Sequence, residues 1–151
     1  MKRIIEWIQK KYNSIFRLEP IAPHSAKTIT YLQLQRLLKE LFPTADIYLS
    51  DKVYLLCDNE DVAAFLAMDK TNRQEFVAEK YDCDDFAYRL MGQYSVPHWS
   101  DLALGLIWTD KHAMNYYVDE SGKLWYVEPQ NDTVADKLAE WQGTRVRMIM
   151  I

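Results

Sequence analysis

The stretch EKYDCDDFAYRL, residues 79–90, sets one thiol, Cys83, among three carboxylates, Asp82, Asp84 and Asp85. A thiol becomes a nucleophile by losing its proton, and nearby negative charge opposes that loss. Cys83, Phe86, Ala87, Leu90, Met91 and Tyr94 recur at helical spacing and share one face. Cys83 is therefore expected to point inward from the first turn of a helix that Asp82 caps. That turn offers free backbone N–H groups and the positive end of the helix dipole, which stabilise a thiolate or an oxyanion. The plainer alternative is a small buried hydrophobe at a well-capped helix start.

A histidine and a second carboxylate follow at suggestive places. His112 opens HAMNYYV, and Glu128 lies near the end of KLWYVEP. Between these strand-like runs, Asp119-Glu120-Ser121-Gly122 suits a type I turn with Gly in the left-handed position. Such a turn pairs Asp119 with Lys123, so Tyr116 faces Tyr126, Met114 faces Glu128 and His112 faces Gln130. Strand alternation then places His112, Met114, Glu128 and Gln130 on one side, with Glu128 diagonal to His112. A carboxylate beside an imidazole fixes its tautomer and supports its charged form. Cys83, His112 and Glu128 together would suit acyl transfer through a thioester. Gln130 would add an oxyanion donor or a substrate contact, and Trp108 a cleft wall; a turn amide and simple packing are the alternatives. Asn115 alternates to the face opposite His112.

These blocks carry a family resemblance. YDCDDFA followed by HAMNYYVDESGKLWYVEPQND resembles the papain/transglutaminase-like cysteine-enzyme superfamily. DCDDFA is similar to the motif of bacterial transglutaminase-like cysteine proteinases, and HAMN with VEPQ to papain-fold deamidase-type toxin domains. The match spans about residues 80–131; Tyr81 stands where that family has Gly, and Glu128 where it has Asp. The resemblance implies a cysteine hydrolase or acyltransferase acting on a peptide or glutamine carboxamide. It also implies calcium ligands at Asp82, Asp84 and Asp85. Calcium takes oxygen donors, and a bound dication would reverse the charge around the thiol. Without it, Asp82 is a cap, and Asp84 and Asp85 favour the helix dipole.

The elements that must position these residues read as α+β, with N-terminal helices packed on a C-terminal antiparallel sheet. Thr30 caps a helix over 31–41, DKVYLLC reads as a strand, and Asp58 caps a helix through Met68 that NRQEFVAEKY continues. LALGLIW, HAMNYYV and KLWYVEP form a meander, TVADKLAEW a short helix and TRVRMIMI a closing strand. The 151 residues suit a single domain, residues 1–151. A net charge of −4 argues against nucleic acid as a partner. Two cysteines in different elements suggest no disulfide framework. Residues 1–20 read as a basic amphipathic helix, with residues 1–19 a possible contact for a partner or a membrane surface. No transmembrane segment or signal peptide is recognised, so a cytoplasmic protein is expected, with phage or injected-effector origin open. The competing function is a non-catalytic module on the same fold, binding protein or glycan, with or without calcium.

Overall fold

The computed structural model describes residues 22–151; the basic amphipathic helix expected over 1–20 lies outside them. Helix α1 (Tyr31–Leu41) begins where Thr30 and Gln33 exchange capping bonds, the Gln33 side chain accepting from Thr30 N at 2.9 Å. It buries Leu34 and Leu38. Helix α2 (Asn59–Met68) starts where Asp58 accepts from the N–H groups of Glu60 and Asp61. Helix α3 (Cys83–Tyr94) follows Asp82 and buries Phe86, Ala87, Leu90 and Tyr94. All three begin at the residues their caps indicate.

Eight strands accompany these three helices among the described residues. The strands β1 (Thr28–Thr30) and β3 (Val53–Leu55) pair antiparallel as a small sheet. The main sheet contains β2 (Asp46–Tyr48), β4 (Leu104–Thr109), β5 (Ala113–Val118), β6 (Leu124–Glu128), β7 (Thr133–Ala135) and β8 (Val146–Met150). Its order is β2-β8-β4-β5-β6-β7. The β5–β6 hairpin holds the expected register, Tyr116 opposite Tyr126 and Val118 opposite Leu124. Asp119 N–H bonds to Lys123 O at 2.9 Å, closing the turn.

The expected arrangement of N-terminal helices on a C-terminal antiparallel sheet is corrected. The sheet organises the molecule, and it is mixed: β2, from the first half of the chain, pairs parallel to β8 at one edge. The first half also contributes β1 and β3. Helices cover both sheet faces. Met114, Tyr116 and Val118 join Leu34 and Leu38 of α1 in one core cluster. On the other face Tyr117 packs with Phe65 and Leu90, and Ala113 with Ala87. The alternation of β5 thus feeds two cores.

Two further elements differ. NRQEFVAEKY forms only a 3-10 turn at Thr71–Arg73 and then irregular chain. The Asp69 carboxylate takes the N–H of Thr71, and Phe76 and Val77 stay exposed, so no buried apolar face sustains a helix. TVADKLAEW divides into edge strand β7 and a 3-10 turn at Glu140–Gln142, because residues 133–135 pair with β6.

Candidate functional site

The site lies where α3 begins, beside the turn between β4 and β5 and the exposed face of β8. Cys83 is the first residue of α3 and half-buried. Ahead of it, Asp82 accepts from Glu79 N at 3.0 Å, and Asp85 accepts from Asp82 N at 3.1 Å. Asp85 is therefore committed to holding the helix start. Carboxylate oxygens of Asp82 and Asp84 lie within 4.8 Å of each other. Pairing with Asp82 raises the Asp84 pKa, with burial adding to it, and pairing with Asp84 lowers that of Asp82. The Cys83 thiol is pushed up, first by burial and then by Asp82 and Asp84, against the backbone N–H of Ala113. The electrostatic cost read from the sequence is thus present in the fold.

The turn Thr109-Asp110-Lys111-His112 sets the opposite wall. Buried Thr109 is its hub: Oγ1 accepts from His112 N at 2.9 Å and Lys111 N at 3.1 Å, and donates to Gln142 O at 2.5 Å. The His112 ring is bound through Nε2 to Glu128 Oε2 at 2.7 Å, both side chains being buried. Glu128 Oε2 also accepts from Gln142 Nε2 at 2.9 Å. The diagonal His112–Glu128 contact expected from the hairpin register is present. Among the described residues His112 Nδ1 has no hydrogen-bond partner. The exposed ring of Trp141 meets the His112 ring edge-on, with centroids 4.9 Å apart.

Cys83, Asp84, Trp108 and His112 line one open cleft of about 710 Å³, with Lys111, Arg145 and Arg147 among its other walls. Trp108 is half-buried, held edge-on by Tyr88 at 5.9 Å. Glu128 stands behind His112 and outside the lining. Gln130 does not reach the cleft lining either; its backbone N–H donates to Glu128 Oε1 at 3.4 Å. Asn115 faces away, donating to Ala87 O and Tyr94 OH.

The metal expectation narrows. Ligand atoms of Asp82, Cys83 and Asp84 lie within 4.8 Å of one another. Asp85 is spent on the helix cap, so two carboxylates remain, fewer hard oxygens than calcium needs. A cation here would draw its other oxygens from solvent or from a bound ligand.

Three contributions were missed from sequence. Gln142 reaches Glu128 from a turn that carries no local mark of that role. Asp110 accepts from the N–H groups of Thr144 and Arg145, tying the cleft turn to β8. Gly143, at φ +105, sits against that junction, where a Cβ would lie 2.5 Å from Asp110 Oδ1. Arg145 and Arg147 had a usable signal: they alternate with Val146 at the start of a strand.

No family model matches the chain, and none of the curated proteins does. Solved structures share its fold. The PSL1a–E64 complex is similar over 82% of this chain, at 21% identity and a TM-score of 0.69. Polyporus squamosus lectin bound to the human-type influenza-binding epitope Neu5Aca2-6Galb1-4GlcNAc is similar over 82%, at 21% identity and 0.67. The match takes up 50% and 49% of those chains, so this chain corresponds to about half of each. These neighbours overturn the family expectation. The fold is that of about half of each of these chains, not the papain/transglutaminase-like arrangement the short motifs implied, and the hydrolase, cysteine-peptidase and transglutaminase assignments lose the family ground they rested on. Among the described residues no helix is long and apolar enough to cross a membrane.

Proposed function

We propose that this domain is a non-catalytic binding module that takes a glycan in the cleft between Cys83 and Arg147. The observation carrying this reading is the fold shared with lectin chains across most of the described residues. The cleft chemistry supports it. Trp108 offers apolar ring surface, and Asp84, Lys111, Arg145 and Arg147 offer polar groups around it. The raised thiol of Cys83 is poorly prepared for nucleophilic attack, as a passive wall residue would be. Calcium belongs to the proposal only as a bridging ion, held by Asp82 and Asp84 with sugar hydroxyls completing its shell.

Titration with Neu5Aca2-6Galb1-4GlcNAc, followed by tryptophan fluorescence, should give saturable binding. Trp108→Ala should weaken it about fivefold, the worth of one aromatic contact. Repeating the titration in chelator, and with Asp84→Asn, reads out the bridging ion. Absence of saturable binding to any glycan on a broad array would sink the reading.

One specific observation favours a second reading: Cys83 and His112 line the same cleft, with Glu128 and Gln142 behind His112. Here His112 takes the thiol proton as sulfur bonds to an acyl carbon, then returns it to the leaving group. Alkylation of Cys83 by iodoacetamide against pH separates the two. The binding reading predicts a midpoint above that of a free thiol, because burial, Asp82 and Asp84 all hold the proton on, and no change in His112→Ala. A midpoint near neutrality that His112→Ala abolishes, or capture of E64 that Cys83→Ser prevents, would favour the thiol reading.

A further inference from the structure

We propose that the cleft selects acidic glycans, sugars bearing a carboxylate or a sulfate, through Lys111, Arg145 and Arg147; this deepens the glycan-binding reading and rests on it. Arg145 and Arg147 flank buried Val146, so strand alternation sends both to the exposed side of β8 and into the cleft wall. Lys111 approaches from the turn that carries His112. Among the described residues these three side chains form no ion pair and no hydrogen bond, which leaves their full donor capacity for a ligand.

Three carboxylates, Asp46, Asp84 and Asp110, share the cleft, and none of them is ion-paired with these cations. Asp110 already receives the backbone N–H groups of Thr144 and Arg145. Asp84 sits beside Cys83 at the start of α3. Asp46, on edge strand β2, is the remaining acid of the lining. In a chain of net charge −4, three uncommitted cations around one cleft make it a local well for an anion. Guanidinium groups match the planar fork of a carboxylate or two oxygens of a sulfate, whereas a neutral sugar gains little from displacing their water.

Calorimetric titration should compare N-acetyllactosamine with its sialylated and sulfated forms, against the wild type and an Arg145→Gln, Arg147→Gln double variant. The acidic forms should bind about tenfold more tightly than the neutral one, as expected for one charge-assisted contact. The advantage should shrink as salt rises, and the double variant should lose it. Lys137→Gln, outside the cleft, should keep it. Preference for either acidic form supports the proposal, and the preferred form separates carboxylate from general anion recognition. Equal affinity for all three overturns the selectivity and leaves the glycan reading standing. Binding of none overturns both. Salt dependence in the wild type tests the idea without any variant.

Discussion

Glu128→Ala should be the most damaging single change at the cleft. It strips His112 Nε2 of its partner at 2.7 Å and Gln142 Nε2 of its partner at 2.9 Å, both in a buried pocket. A buried donor left without its partner costs about 1–3 kcal/mol, and this change leaves two of them. Glu128→Gln keeps the volume and one acceptor and should cost less. The loss should also be local: with Glu128 gone, Gln142 no longer holds the Glu140–Gln142 turn, and Trp141 should leave the His112 ring. Urea midpoints with constant slope would measure the stability change, and tryptophan fluorescence the local one. A midpoint shift below about 1 kcal/mol, the net worth of an ordinary hydrogen bond, would mean that the network is solvated and not structural.

A comparable effect is expected from Gly105→Ala, outside the cleft lining. Gly105 is the second residue of β4, paired with Tyr116 of β5 and beside the end of β8. A Cβ there would come within 2.2 Å of Met150 O and 2.6 Å of Ile151 Cγ1. The first contact is with backbone, which cannot rotate away, so β8 would have to move. Overpacking costs roughly 1–3 kcal/mol where side chains can yield, and this site should lie at or above the top of that range. Gly92→Ala is the matched control: nothing lies within 4 Å of its added Cβ, and its helical position should make the change stabilising by about 0.5–1 kcal/mol. Thermal unfolding of the two variants should therefore move in opposite directions; equal shifts would refute the close approach.

Much of the local structure was legible because its causes are local. Thr30 and Asp58 each mark a helix start by supplying an oxygen to unpaired N–H groups, and each does so in the fold, while at the start of α3 Asp85 accepts from Asp82 N. The Asp119–Gly122 turn determined the hairpin register, and the register brought His112 to Glu128. What failed depended on distant partners. Residues 72–81 have helical composition but no surface to bury it against. Residues 46–48 become a strand only by pairing with Val146–Met150, far along the chain. Gln142 joins the site for the same reason. The family resemblance misled by a related route. A thiol at a helix start followed by a histidine and an acid on a hairpin is a local arrangement spanning about a third of the chain. Fold and function are separate properties of such a motif.

The interior position of β8 has a consequence for how the sheet is assembled. β8 is the last described strand in chain order, yet it lies between β2 and β4. Until it docks, β4 presents an unpaired edge along Leu106, Ile107 and Trp108, and β2 has no neighbour. An open apolar edge invites pairing with another molecule, and closing such long-range contacts is slow. Refolding should therefore depend on protein concentration well before the native state shows any tendency to associate. The vulnerable species is the intermediate that has its hairpin, β5 and β6, but lacks its final strand.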